Sequence, residues 1–445
     1  MKKHEILYDW PITEINRLTD SDIAEGYFND LAEPEQSRFV ALTERIRFLG
    51  LELATARTDK IHFLKWDDLR SYVEEFGQQF ASFPTPSVDK LRLSLLLIEK
   101  LSQSSPILDT IDINADMFEL RELTQPLPHS WFCRENNLSI ADSLVLFSCD
   151  DFSAVSNDIA SSIVSPDLLF QFIAALHATN DLPPSQTILV KKTTPQVDSL
   201  AINAFARLVV LAAGKSVHSA RKYTTVPKVL NPDEIKPGES YHQWSEVLNV
   251  LSEYNSRDET LLKFLTIYHV IENFMFKRPI VELERRMNGA MFSIRDFRRL
   301  YASVEMNEAE ALKKLFQSVF MMQALPGTSF RDHLITRWNL LVPAVSKADI
   351  NAALTTVGLD FSFNAFAGKG ALSCFSKLVY AIRNTIVHNK ETEFHLTYAS
   401  LDMNPSLCNV IEDFVLPSLE EICFALIGKP SQEFWYQNKE ISLYS

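Results

Sequence analysis

The sequence predicts a mainly α protein. A C-terminal helical bundle follows an N-terminal part that is helical at first and then becomes a small α/β or α+β layer. Three observations predict this. Apolar residues recur at three- and four-residue steps over most of residues 1–104 and 245–428. Between 105 and 230 short β-branched and aromatic runs alternate with helical ones. The 445 residues, 46% apolar and 22% charged, have an ordinary globular composition and enough length for two or three domains.

Taken in order, Glu35 to Ala56 places Phe39, Leu42, Ile46, Leu49, Leu51 and Leu53 along a helix, and Trp66 to Phe80 forms a shorter one stopped by Phe83-Pro84-Thr85-Pro86. Ser87 starts another through Lys100, while Asp9, Asp20 and Asp22 are expected in loops or first turns as capping residues. In the mixed region Ser143 to Ser148 and Thr187 to Val190 read as strands, and Pro166 to His177 and Ser199 to Ala213 as apolar helices. Lys215 to Tyr241, with three Pro and Gly238, is the expected domain boundary.

The second half reads as almost wholly helical. Ser256 with Glu259 forms a capping-box pattern, and the helix it opens is expected to stop at Lys277-Arg278-Pro279. Further helices are expected over about 307–324, 331–341, 346–357 and 405–427, the last kinked or split by Pro417, with residues 429–445 as a tail. Ser373 to Asn389 forms a longer one, with Leu372, Phe375, Val379, Ile382 and Ile386 on the core side.

Composition narrows the function. A net charge of −14 argues against a protein that coats nucleic acid indiscriminately. A local exception runs from Lys277 to Arg299. Lys277, Arg278, Arg285, Arg286, Arg295, Arg298 and Arg299 oppose Glu282, Glu284 and Asp296, a net of +4 and a candidate RNA-approach surface. The five Cys are scattered without a C-x-x-C pair, so neither a disulfide framework nor a zinc site is indicated. No Gly-rich phosphate loop occurs among only 11 Gly, which excludes a P-loop nucleotidase. No apolar run approaches membrane-spanning length and the first residues lack the apolar core of a signal peptide, so a cytoplasmic protein without a membrane partner is expected. Asp150 and Asp151 follow a strand, where acidic pairs can hold Mg²⁺, but a turn-forming and helix-capping role before Phe152 is the favoured reading.

The chemistry lies near the end of the helix over 373–389. Arg383, Asn384 and His388 leave its apolar stripe. Asn384 and His388 are four apart, whereas about 140° of rotation separates Arg383 from His388 on a continuous helix. RNA cleavage without a metal needs a base for a 2′-hydroxyl, an acid for the leaving 5′-oxygen and a fixed cation at phosphorus. Imidazole titrates near neutrality and serves the first two roles; guanidinium, always charged and forked, serves the third. One helix supplies half of this set, and a two-fold axis would double it.

Arg383-Asn384-Thr385-Ile386-Val387-His388 resembles the R-x4-H motif of the HEPN domains, all-α and usually dimeric, many of which are metal-independent endoribonucleases of bacterial toxin and anti-phage systems. With 21 Arg and 10 His, chance supplies roughly half an R-x4-H match per chain, and Arg57 to His62 is a second match. Only the later one carries Asn after Arg inside a long amphipathic helix. The resemblance covers about residues 245–428. It implies Arg383 and His388 as catalytic residues, Asn384 as support, and Glu272 as a carboxylate orienting Arg383 or His388. It also implies a homodimer, an RNA substrate, an antitoxin or phage-derived trigger, and no metal or other cofactor. By the same resemblance a variable segment often follows the motif, which is where His395 and Tyr398 fall, and neither is counted among the site residues. The alternative of another class is a non-catalytic HEPN adaptor whose Arg–Asn–His surface binds a partner.

Overall fold

The computed structural model describes residues 2–83, 87–102, 113–150, 152–179, 182, 186–192, 198–224, 235–287, 293–296, 298, 301, 307–388 and 394–438. The chain is mainly helical and divides into two compact units, Met1–His218 and Ser219–Ser445.

In the first unit a π-helical turn, Glu5–Asp9, runs into α1 (Trp10–Thr19), followed by α2 (Asp22–Asp30), α3 (Glu33–Asp59), α4 (Trp66–Gln79) and α5 (Ser87–Ser102). Then come β1 (Phe118–Glu122), β2 (Trp131–Arg134), β3 (Leu144–Phe147), α6 (Phe152–Ser161), α7 (Pro166–Ala178), β4 (Thr187–Lys191) and α8 (Ser199–Ala212). The four strands form an antiparallel sheet in the order β1-β4-β3-β2, so the layer is of the α+β kind. One expectation changes here. Asp9 lies at the end of the π turn, inside continuous helical structure, because the chain is helical well before residue 20. The helices of 1–104 and the sheet of 105–230 pack together: Ile46, Leu53 and Leu97 share one buried cluster with Trp131, Phe147 and Leu189. A four-stranded sheet this short exposes an apolar face that a helical layer must cover.

The second unit begins inside the Pro-rich boundary. Residues 219–224 are stitched onto it: Arg221 pairs with Glu412 at 3.1 Å, and the Tyr223 hydroxyl donates to the Glu420 carboxylate at 3.2 Å. Glu420 is buried and also accepts from the Tyr254 hydroxyl; burial pushes its carboxyl up. Helices α9 (Ser245–Ser256), α10 (Thr260–Met287) and α11 (Glu308–Met321) follow, then a hairpin of β5 (Gln323–Leu325) and β6 (Thr328–Ser329), α12 (Phe330–Asn339) and α13 (Lys347–Thr356). Gly327, at φ 78°, follows Pro326 and supplies the positive φ that the hairpin turn needs. The chain then enters α14 (Ala371–Val387), α15 (Tyr398–Met403), α16 (Pro405–Asn409), a π-helical stretch (Val410–Val415) and α17 (Leu416–Gly428).

Three expectations are corrected in this unit. Ser256 closes α9 and does not cap α10, whose register starts at Thr260. Pro279 lies inside α10, which runs on to Met287, because flanking tertiary packing outweighs the single lost hydrogen bond. Residues 429–438 are no loose tail, since Phe434, Trp435 and Tyr436 are buried. Pro417 does mark a division, at the first turn of α17 where its missing N–H costs nothing.

The core centres on Trp338 of α12. It stacks on Phe363 and Phe366 at 5.2 and 4.8 Å between centroids and meets Phe414 edge-on at 4.8 Å. Helix α14 joins it through Phe375, Leu378, Val379 and Ile382, all fully buried, while Leu372 and Ile386 are partly so. Phe375 packs on Phe316 of α11 at 4.7 Å. Gly370, just before α14, sits where a Cβ would come within 2.6 Å of the Ala365 carbonyl oxygen, so a larger residue there would displace the helix start. Packing on both α10 and α11 thus fixes the direction of α14 and of its polar last turn.

Candidate functional site: a guanidinium between two carboxylates and an imidazole

Helix α14 ends at Val387. His388 is its C-cap, in extended conformation with φ −95° and ψ 115°. Its side chain therefore leaves the helical wheel and swings back to Arg383, and the 140° separation expected for a continuous helix disappears. The Arg383 Nη1 lies 3.3 Å from His388 Nε2 and donates at 3.2 Å to Asn384 Oδ1. A guanidinium only donates, so this contact is a hydrogen bond only when the ring carries its proton on Nδ1 and leaves Nε2 to accept.

The other side of the guanidinium faces two carboxylates. Nη2 lies 3.9 Å from Glu272 Oε1 and Nε lies 3.4 Å from Glu308 Oε1. Below it is Tyr268, buried, with its ring centroid 5.8 Å from the guanidinium carbon and its hydroxyl donating to Glu308 at 2.7 Å. Burial pushes the Glu272 carboxyl up; His269 pulls it back, Glu308 adds to the rise and Arg383 opposes it. Burial and the bond to Glu308 also raise the Tyr268 phenol, which stays protonated. Three helices thus converge on one cation: α10 brings Tyr268 and Glu272, α11 brings Glu308, and α14 brings Arg383 and Asn384.

Sequence reasoning named Arg383, Asn384, His388 and Glu272, and all four meet here. It missed Glu308 and the part played by Tyr268. The signal for Glu308 was faint. It is the first residue after Asn307, whose side chain caps α11 by accepting from the Ala309 N–H at 2.9 Å, and an acidic residue there serves the helix dipole equally well. The chain returns to the site after His388: the Leu396 N–H donates to the Thr385 carbonyl at 2.8 Å, so residues 394–398 lie along the last turn of α14. His395 and Tyr398 are half-buried there, and burial pushes the Tyr398 phenol up to about 12.

The second R-x4-H match behaves differently. The Arg57 fork closes on Asp9 at 2.9 and 3.3 Å at the end of α3, and His62 is exposed beyond it. Asp150 accepts from the Ser148 hydroxyl at 3.2 Å as a turn residue does, and Asp151 lies outside the described residues. Among the described residues no group of three or more His, Cys, Asp and Glu is arranged to hold a metal ion.

The stretch from Lys277 to Arg299 is not one basic face. Lys277 is buried, with Nζ over the Trp244 ring at 3.2 Å and donating to the Gln243 carbonyl at 2.9 Å. Arg285 holds the Trp435 carbonyl at 2.9 Å, and Arg286 pairs with Glu282 at 2.6 Å. Arg295 and Arg298 are exposed, and Arg299 lies outside the described residues. The helical period sends Lys277, Arg285 and Arg286 to different sides of α10, and Arg295 and Arg298 lie beyond its end.

A groove of about 670 Å³ opens beside the cluster. Asn384 lines it, with Tyr380, Lys377 and Ser373 along α14, Lys313 on α11 and Phe394 after the motif. No protein-family model, no curated protein and no solved structure matches this chain. Among the described residues no helix is long and apolar enough to cross a membrane.

Proposed function

We propose that the C-terminal unit is a HEPN-type, metal-independent endoribonuclease, acting as a toxin or anti-phage effector in the cytoplasm, with its active site built across a homodimer. The observation that carries this reading is the 3.3 Å contact between Arg383 and His388, with Asn384 on the same guanidinium. The imidazole of one copy takes the proton of a 2′-hydroxyl. The 2′-oxygen bonds to phosphorus, the bond from phosphorus to the 5′-oxygen breaks, and the protonated imidazole of the second copy returns a proton to that oxygen. The guanidinium holds the charge that grows on the phosphoryl oxygens, and Glu272 and Glu308 fix its plane. The products are a 2′,3′-cyclic phosphate and a 5′-hydroxyl. The N-terminal unit restrains or triggers the nuclease, through an antitoxin or a phage-derived signal.

One observation favours the second reading, a non-catalytic adaptor. Arg383 already faces two carboxylates, so with all three groups ionised its immediate surroundings in one copy are negative overall. A phosphate approaching that copy alone meets repulsion. A second copy brings a second guanidinium to the shared site and offsets this repulsion. The test is to incubate purified protein with total RNA and EDTA beside Arg383→Ala and His388→Ala variants. RNA decay in the wild type alone, with cyclic-phosphate ends, supports the nuclease; equal decay in all three samples, or none in any, removes it.

A further inference from the structure

The groove beside Asn384 has no place in the proton transfers above, yet its lining suits one kind of occupant. It runs along α14 from Ser373 to Thr385, twelve residue steps or about 18 Å of helix, between α11 and the segment that follows α13. At about 670 Å³ it falls in the range of sites that enclose a small organic ligand, ~300–1,000 Å³. Two aromatic rings line it, Tyr380 and Phe394, both half-buried in the core and half-open to the groove. Lys313 and Lys377 are exposed at its edge, Lys377 alongside Asp360 at 3.2 Å, and the exposed Glu310 on the same rim is paired with Lys314 at 3.5 Å. Its far end is Asn384, the residue whose carboxamide oxygen holds Arg383.

Aromatic faces for bases, an ammonium group for a phosphate and a link through Asn384 to the Arg383 guanidinium are the combination that unpaired RNA needs. We infer that this groove is the substrate subsite of the C-terminal unit: it seats one or two unpaired bases of a single-stranded RNA next to the phosphodiester held at Arg383, with Tyr380 and Phe394 as the stacking surfaces. A double-stranded RNA keeps its bases stacked on one another and gains nothing from these rings. The target is therefore a loop or other unpaired stretch. The inference rests on the nuclease reading for the place of the scissile bond, but not for the binding itself.

The test separates the two. Full-length His388→Ala protein, in EDTA, is titrated with fluorescein-labelled eight-nucleotide oligouridylate, oligoadenylate and the duplex they form. Tyr380→Leu, Phe394→Leu and Lys313→Glu are then added singly to that background. Leu keeps apolar volume against the core while removing the ring, Tyr380→Phe is the conservative control, and Lys313 is a surface residue whose change leaves the core untouched. The single strands are expected to bind more tightly than the duplex. Each ring-to-Leu change is expected to weaken single-strand binding about fivefold to a hundredfold, Lys313→Glu to weaken it and flatten its salt dependence, and Tyr380→Phe to retain it. Equal binding by all variants overturns the inference. So does loss of the dimer in Tyr380→Leu by sedimentation, which would make the groove a contact between copies. If the wild type fails to cut RNA but binding still depends on the rings, the subsite stands and the nuclease falls. If the wild type cuts and Tyr380→Leu cuts with the same KM at the same sites, the nuclease stands and the subsite falls.

Discussion

Replacing Lys277 with Met should uncouple the stability of the C-terminal unit from alkaline pH. Lys277 is 5% exposed and burial pushes its ammonium from 10.5 down to about 7. Taken alone, that shift corresponds to about 5 kcal/mol at 1.36 kcal/mol per unit. The Trp244 ring at 3.2 Å and the Tyr436 ring at 4.7 Å attract the cation and offset roughly 2 kcal/mol, leaving about 3 kcal/mol. The sign follows from which state binds the proton. Between the lowered folded value and 10.5 the unfolded chain keeps its ammonium while the folded chain has released it, so folding is penalised and the penalty shrinks as pH rises. Above 10.5 it is gone, and below the folded value it is constant. Urea denaturation of wild type and Lys277→Met from pH 7 to 10 isolates this term, because other titrating groups cancel in the difference. His242, Glu246 and Tyr436 line the same small cavity, and a His242→Gln control separates the imidazole. The wild type should gain about 2 kcal/mol relative to the variant across the range, with the last ~1 kcal/mol recovered only above pH 10. A difference that stays flat to within about 0.5 kcal/mol would refute the assignment of a desolvated lysine.

Three further outcomes are expected. Glu308→Gln keeps the shape beside Arg383 and Tyr268 but removes a charge-assisted partner that is about one-third exposed, and RNA cleavage should fall on the order of tenfold in kcat with KM little changed; an unchanged kcat sinks the orienting role. His388→Ala should abolish cleavage while changing stability by less than about 0.5 kcal/mol, since the ring is exposed; a large drop in thermal midpoint would mark the residue as structural. Glu272→Gln should remove a loss of stability that the wild type shows as pH rises above 4.5, because a carboxyl held high in the folded state ionises later than in the unfolded chain; parallel pH profiles would show that its burial carries no such cost.

Much of this architecture was legible in the sequence, for physical reasons that also explain the failures. Long amphipathic helices such as α3, α14 and α17 announce themselves because one periodic face must be buried. Strand β2, four residues of Trp-Phe-Cys-Arg, did not, because so short a segment lacks enough alternation to be told from a loop. The Ser256–Glu259 pattern misled because a capping motif describes two hydrogen bonds, and here the chain satisfied them otherwise: Ser256 bonds back to Glu253 within α9. Pro279 misled because local propensity was set against the packing of a 28-residue helix. The four named site residues met because three lie on buried helices. The contact between Arg383 and His388, however, depends on the helix stopping at Val387, which no wheel reports. Glu308 escaped because its partner lies 75 positions away, and only tertiary structure brings the two within reach.

The strap at residues 219–224 bears on how this protein can be divided. A fragment begun at residue 245, where the family resemblance starts, would be missing both Arg221 and Tyr223. Glu412 would lose its cation and Glu420, 3% exposed, one of its two phenolic donors. An acid sealed inside a helical bundle with half its hydrogen-bonding complement gone is an invitation to misfolding, so an inert short fragment would say nothing about catalysis. Recombinant dissection belongs at Ser219 or upstream.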